Sequence, residues 1–216
     1  MGRTATWPPF RDRREAGGLL AVRLAYLSHE HPVVLALPRG GVPVAAEVAR
    51  ALGAPLDVIV VRKLGMPLQP ELGFGAIGEG GVCLLDRELV DRARLTGAEI
   101  AEVESEQNKE LDRRVRLYRG DRPLTPVDGR TVVIVDDGLA TGGTAGAAVQ
   151  VVRARGARRI VLAVPVAPPA TVRELEAEAD EVVSLLTPDR FGAVGLWYED
   201  FAQTSDDEVA ALLHPA

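Results

Sequence analysis

Cysteine is almost absent from this chain. Cys83 stands alone, so no internal disulfide can form, and the chain suits a reducing, cytoplasmic setting. Cys83 lies in the apolar run 82–85 and reads as a small core residue. Lysine is nearly missing too. Only Lys63 and Lys109 occur, every other strong base being arginine, which makes the placement of Lys63 worth following. Aromatics are sparse, with four Phe, three Tyr and two Trp in 216 residues. There is no basic excess. A net charge of -6 argues against nucleic acid or an anionic membrane as the main partner, so any affinity for polyphosphate must be local. No apolar run is long enough to cross a bilayer, and the longest, 160–170, is interrupted by prolines. The first ten residues contain Arg3, Trp7, Pro8 and Pro9 and lack the apolar core of a signal peptide. His29 and His31 flank Glu30 with no Cys or further His nearby. A helix-terminal turn is favoured there over a metal site.

What is present is a core-forming chain, 47% hydrophobic and 26% charged, of a length that suits one domain with an elaboration. Its organising stretch is 131–145, TVVIVDDGLATGGTA. Val132, Val133, Ile134 and Val135 are apolar on both faces, as in a strand buried on both sides of a parallel sheet. The two acids that follow, Asp136 and Asp137, must then emerge at the carboxyl edge, where open α/β sheets bind ligands. The turn Ala140, Thr141, Gly142, Gly143, Thr144 lets backbone N–H groups approach an anion closely. Residues 144–155 read as a helix, whose N-terminal dipole would add about 0.3–2 kcal/mol for a phosphate. The competing reading is a core strand with an ordinary surface turn.

A second strand–glycine turn–helix unit precedes it. Residues 33–37 form a buried strand, Pro38, Arg39, Gly40 and Gly41 a turn, and 43–52 a helix. Arg39 offers a planar cation to a phosphate, or is simply solvated at a plain turn. Residues 57–61 read as a third buried strand, with Arg62 and Lys63 at its end. The following 64–75 lacks clear periodicity and reads as a mobile loop or lid. Lys63 is either an anion-facing cation or a solvated base. Residues 73–78 match G-x-G-x-x-G, but neither a strand before nor a helix after supports a dinucleotide site. The context is a hairpin of 74–77 with 82–85. The longest helix, 96–118, opens on a capping box of Thr96 and Glu99, and its charges read as a solvated face. A strand at 158–165, a helix at 171–179 and a strand at 181–186 follow. An N-terminal amphipathic helix spans 11–28, with Leu19 among its apolar positions. Ser205 and Glu208 cap a last short helix. The alternation of strands and helices predicts an α/β fold: an open parallel sheet with helices on both faces.

The stretch 131–145 resembles the 5-phosphoribosyl-1-pyrophosphate (PRPP) binding loop of the type I phosphoribosyltransferases. The four apolar residues, two acids and Thr-Gly-Gly-Thr turn match that pattern at its spacing. The resemblance implies that Asp136 and Asp137 meet the ribose hydroxyls and hold Mg²⁺ through substrate or water. It further implies that Ala140 to Thr144 cradle the 5′-phosphate. Arg39, Gly40 and Gly41 resemble the family's pyrophosphate loop, which often carries a cis peptide, so one is expected near Arg39. Arg62 and Lys63 would contact pyrophosphate from a closing loop. Asp136, Asp137, Lys63 and Arg39 are thus the catalytic candidates. The family's core would cover 33–186 of a single domain, 1–216. Segments 1–31 and 187–216 would form a hood over the base, with Phe191 and Tyr198 as stacking candidates or as plain packing of the tail. The implied activity is Mg²⁺-dependent transfer of the phosphoribosyl group to a nitrogen nucleophile, a nucleobase by resemblance, with the family also allowing a homodimer. Ala140 stands where hypoxanthine–guanine enzymes carry an acid, which disfavours that acceptor. The alternative is a PRPP- or nucleotide-sensing regulator on the same fold.

Overall fold

The computed structural model describes residues 10–67 and 69–213. The first nine residues of the expected hood and its last three lie outside that range. Five strands form one parallel sheet in the order β2-β1-β6-β7-β8. They are β1 (Val33–Ala36), β2 (Leu56–Val58), β6 (Thr131–Val135), β7 (Arg159–Val166) and β8 (Glu181–Leu186). β6 sits centrally, with Val33 to Ala36 in register against Val132 to Val135. Every residue of β6 is buried, because its alternate side chains enter two different cores. Val133 and Val135 join the core under α1 (Arg13–Leu24) and α2 (Gly41–Leu52). Val132 and Ile134 join the one under α5 (Gly143–Ala154) and α6 (Pro169–Leu175). Helices therefore cover both faces, as expected of a doubly buried parallel sheet.

A second sheet departs from the sequence reading. β3 (Val61–Met66), β4 (Gln69–Gly78) and β5 (Val82–Leu85) form an antiparallel sheet in the order β3-β4-β5. The expected hairpin is there, with Ala76 opposite Leu84 and Ile77 opposite Cys83. The expected loop over 64–75 is not. It is strand, reversing at Pro67, with Leu64 opposite Gly75. Glycines and register shifts at Leu64, Gly65 and Met66 broke the alternation that would have revealed it. The third strand stops at Val58, so Arg62 and Lys63 lie inside β3 rather than at a strand end in the parallel sheet. Cys83 is exposed, not in the core, because β5 is an edge strand whose residues alternate between partly buried and exposed.

The remaining helices are α3 (Arg87–Ala93), not expected from sequence, α4 (Gly97–Arg119) and α7 (Asp206–Leu213). α4 opens on the full capping box of Thr96 and Glu99. Ser205 Oγ accepts from the Glu208 amide at 3.1 Å. α1 is followed by a 3₁₀ turn over Ala25–Glu30, which ends at His31 in the left-handed region, and Leu19 is 42% exposed rather than packed. β3, β4, β5, α3 and α4 form an inserted unit between β2 and β6. A buried ion cluster ties it to the sheet. Arg119, at the end of α4, pairs with Glu79 and with Asp57 of β2, and all three are at most 6% exposed.

Candidate active site at the carboxyl edge

β6 delivers Asp136 and Asp137 to the carboxyl edge, beside the turn that follows β1. The fit between them is close. A Cβ on Gly41 would lie 2.6 Å from the Val135 carbonyl oxygen, and one on Gly40 would lie 2.0 Å from Asp137 Oδ2. Only glycine permits this approach, so the two predicted loops form one surface. The peptide between Pro38 and Arg39 is cis, as the resemblance led us to expect. Arg39 extends outward, 3.7 Å from Asp206 of α7.

On the other side of the acids lies the turn that opens α5. Gly142 has φ +73°, and a side chain there would meet Thr171 and Leu175 of α6. Thr171 Oγ1 donates to the Ala140 carbonyl at 2.8 Å and so fixes the turn's shape. Ala140, Thr141, Gly143 and Thr144 are exposed while Gly142 and Ala145 are buried, leaving an open rim at a helix N-terminus. A cavity of about 580 Å³ connects this rim with the turn after β1. Pro38, Thr144, Arg62 and Lys63 line it, together with Gln107 and Arg114 of α4. The structure thus brings the predicted Arg62 and Lys63 to the same cavity as Pro38 and Thr144, through the inserted unit.

The acids sit in a demanding environment. The Asp137 amide donates to Asp136 Oδ1 at 2.9 Å. Burial, and then the charge of Asp137, push the Asp136 carboxyl well above its ordinary range. Burial raises Asp137 as well, with the Arg13 guanidinium pulling the other way. Two residues secure Asp137, one of them, Arg13, not a candidate from sequence and the other, Tyr198, in a role other than the expected stacking. Arg13 Nε donates to Asp137 Oδ2 at 2.8 Å, its Nη1 donates to the Ala202 carbonyl at 2.7 Å, and its guanidinium lies 3.9 Å over the Phe201 ring. The Tyr198 hydroxyl donates to the Asp137 carbonyl at 2.6 Å. Arg13 is 124 positions from Asp137 in sequence, so no local pattern linked the two. Tyr198 is 6% exposed, with its ring centroid 5.4 Å from that of Phe10 and 5.1 Å from that of Phe201. It therefore packs the terminal segments onto Asp137 and does not present an open stacking face. Phe191 is half-buried, and its carbonyl accepts from Trp197 Nε1 at 3.1 Å.

Comparison with known proteins agrees with this geometry. A family model described as "Phosphoribosyl transferase domain" matches residues 13–200. The chain belongs to the phosphoribosyl transferase family. Proteins of two Mycobacterium tuberculosis strains, each named "Putative phosphoribosyl transferase", are 57% identical over 207 residues, 96% of this chain and 47% of theirs. The chain thus spans about half the length of these curated relatives. The crystal structure of TT1426 from Thermus thermophilus is 49% identical and superposes with a TM-score of 0.88, covering 95% of this chain and 97% of that one. AQ2163 from Aquifex aeolicus, 14% identical with a TM-score of 0.51 over 94% and 85% of the two chains, shares the fold. The phosphoribosyl transferase fold thus extends over the parallel sheet, and the predicted acid pair and turn lie at its carboxyl edge.

Proposed function

We propose that the chain binds PRPP at this edge and transfers its phosphoribosyl group to a nitrogen nucleophile, releasing diphosphate. One observation carries the reading: the acid pair is seated on the Pro38–Gly41 turn at one side and adjoins the Thr141–Thr144 turn at the other. A sugar phosphorylated at both ends needs that order of groups: phosphate donors, hydroxyl acceptors, phosphate donors.

In this reading Thr141 to Thr144 take the 5′-phosphate, and Asp136 and Asp137 accept the ribose hydroxyls. The C1–O bond to diphosphate breaks as the acceptor nitrogen bonds C1, and positive charge builds on the sugar ring as in glycoside hydrolysis. Arg39, Arg62 and Lys63 offset the charge gathering on the leaving diphosphate. No side-chain nucleophile is required. In this reading Phe191, on the C-terminal segment, covers the acceptor. Magnesium fits the donor set as an ion carried by the ligand. Among the described residues no group of three or more His, Cys, Asp or Glu could hold a metal, and two crowded carboxylates favour a cation that keeps its waters. Asp136 and Asp137 would hold it through water or ligand oxygens. When bound it would supply charge neutralisation between diphosphate and ribose.

The test is a thermal shift with PRPP and Mg²⁺, followed by a mass-detected panel of nucleobases. Wild-type protein is expected to melt higher with PRPP and Mg²⁺, and Asp137→Asn is expected to show no shift. A wild-type protein indifferent to PRPP would defeat the reading.

A further inference from the structure

A backbone turn that holds an anion must present its N–H groups and turn its carbonyl oxygens away, because an oxygen facing the anion repels it. The turn that opens α5 meets this need one group at a time. The Leu139 amide donates to the Val166 carbonyl at 2.9 Å. The Gly142 carbonyl accepts from the Gly146 amide at 2.8 Å, within the first turn of α5. Among the described residues the Ala140 carbonyl has no backbone donor. A side chain from another helix takes it instead, the Thr171 hydroxyl of α6. Among the described residues, no backbone N–H of 140–145 donates to a protein acceptor.

The surroundings of Thr171 keep that contact in place. Thr171 is 6% exposed, and Pro168 and Pro169 set the backbone where α6 begins. No side chain caps α6, and the Thr171 hydroxyl reaches across to the turn rather than back to its own helix. Gly142, at φ +73°, lets α6 come close. A Cβ there would lie 2.8 Å from Thr171 Cγ2 and 3.0 Å from Leu175 Cδ1. The peptide between Ala140 and Thr141 is trans, since among the described residues the cis form occurs at Pro38–Arg39 alone. In a trans peptide the carbonyl and the following N–H point in opposite directions. With the Ala140 oxygen drawn to buried Thr171, the Thr141 N–H points away from α6, on a rim where Ala140, Thr141, Gly143 and Thr144 are exposed.

We infer that Thr171 is a positioning residue for this turn: its hydroxyl holds the Ala140–Thr141 peptide with the oxygen inward and the N–H outward, ready for a sugar phosphate. The identity of the anion rests on the PRPP reading above, but the hydrogen bond and the peptide's orientation do not. Thr171 acts through the turn and does not touch the ligand. Without the hydroxyl the Ala140 oxygen loses its donor, and an unmet acceptor is costly. Rotation of the peptide toward water relieves that cost and puts an oxygen where the phosphate sits. Thr171→Val removes the hydroxyl and keeps a branched side chain against Gly142. Thr171→Ser keeps the hydroxyl and loses the methyl group that Gly142 accommodates. The two variants therefore separate orientation from packing.

Calorimetric titration with ribose 5-phosphate tests this without acceptor or diphosphate. The wild-type protein binds it, Thr171→Val weakens binding about tenfold, and Thr171→Ser stays within about twofold of wild type. Inorganic diphosphate, which meets the other end of the site, binds Thr171→Val within about twofold of wild type. In turnover, Thr171→Val raises the KM for PRPP about tenfold and leaves kcat within about twofold. No binding of ribose 5-phosphate by the wild type, an unaffected Thr171→Val, equal weakening by Thr171→Val and Thr171→Ser, or equal weakening of both ligands would each overturn the assignment. PRPP turnover that persists unchanged in Thr171→Val removes the positioning role and leaves the activity. Binding of ribose 5-phosphate that depends on the Thr171 hydroxyl, in a protein that turns over no PRPP, leaves the positioning role and removes the activity.

Discussion

Asp137 is gripped from three directions, by Arg13 at its carboxylate, Tyr198 at its carbonyl and Gly40 against its Oδ2. Arg13 comes from the first turn of α1, while Tyr198, Phe201 and Ala202 come from the segment before α7. Both terminal segments therefore converge on one proposed ribose acceptor. A carboxylate has about four lone-pair sites, so Arg13 can hold one oxygen while the other accepts a hydroxyl. Arg13 then acts as a positioning residue that also opposes the upward shift burial imposes on the Asp137 carboxyl. Arg13→Ala should lower the melting temperature, because it leaves Asp137 buried without its cation. For a pair 11% and 14% exposed the cost is about 2 kcal/mol, below the value for full burial. It should also raise the KM for PRPP about tenfold, with Arg13→Lys intermediate. A loss of stability without any change in KM would reduce Arg13 to a structural tie.

The inserted unit depends on Arg119, which bonds Asp57 and the Val58 carbonyl from one Nη and pairs with Glu79 through the other. Thr125 donates twice to Asp57, through its amide and its hydroxyl. Removing the cation strands two buried carboxylates, which costs about 3–5 kcal/mol. Arg119→Met should therefore lower the melting temperature by about 10 °C, on the usual scale of about 2–4 °C per kcal/mol for chains of this size. At the opposite edge Asp180 accepts from the Ile160 amide and from Arg153 of α5. Burial raises its carboxyl, but those bonds outweigh it and the net shift is downward. The folded state then binds fewer protons than the unfolded state does, so the contribution is present above about pH 4 and is lost as pH falls through the folded value. The gap in melting temperature between wild type and Asp180→Asn should be open at pH 7 and narrow as pH falls below about 4. A gap independent of pH would remove the electrostatic account.

These elements differ in how plainly the sequence announces them. β1 and β6 were legible because burial on both faces leaves uninterrupted β-branched runs. The position of Asp136, Asp137 and the Thr141 to Thr144 turn at the carboxyl edge was legible because a strand buried on both faces carries acids only where it emerges. β3 and the first half of β4 were hidden by Gly65, Gly73 and Gly75. A Cβ at Gly73 would lie 2.1 Å from Lys63 Cε, so that glycine makes room for a lysine and leaves no apolar signal. Arg13, Arg114 and Arg119 look alike as sequence. Their roles come only from which surface their helices bury.

Across the whole molecule the proposed ligand meets two separate bodies besides the sheet edge. The terminal segments reach Asp137 through Arg13 and Tyr198, and the inserted unit lines the adjoining cavity with Arg62, Lys63 and Arg114. Net charge is -6, yet Arg62, Lys63 and Arg114 line one cavity, so attraction for a polyanion is local and falls with salt. A ligand that spans both bodies should slow exchange in both, while one that fills only the cavity should slow exchange in one. Hydrogen exchange with PRPP and Mg²⁺ is expected to protect 10–16 and 197–202 together with 61–66 and 103–114. Inorganic diphosphate is expected to protect the latter pair alone. If PRPP protected only the terminal segments, the ligand would not reach α4, and the sheet edge would bind its sugar without the inserted unit.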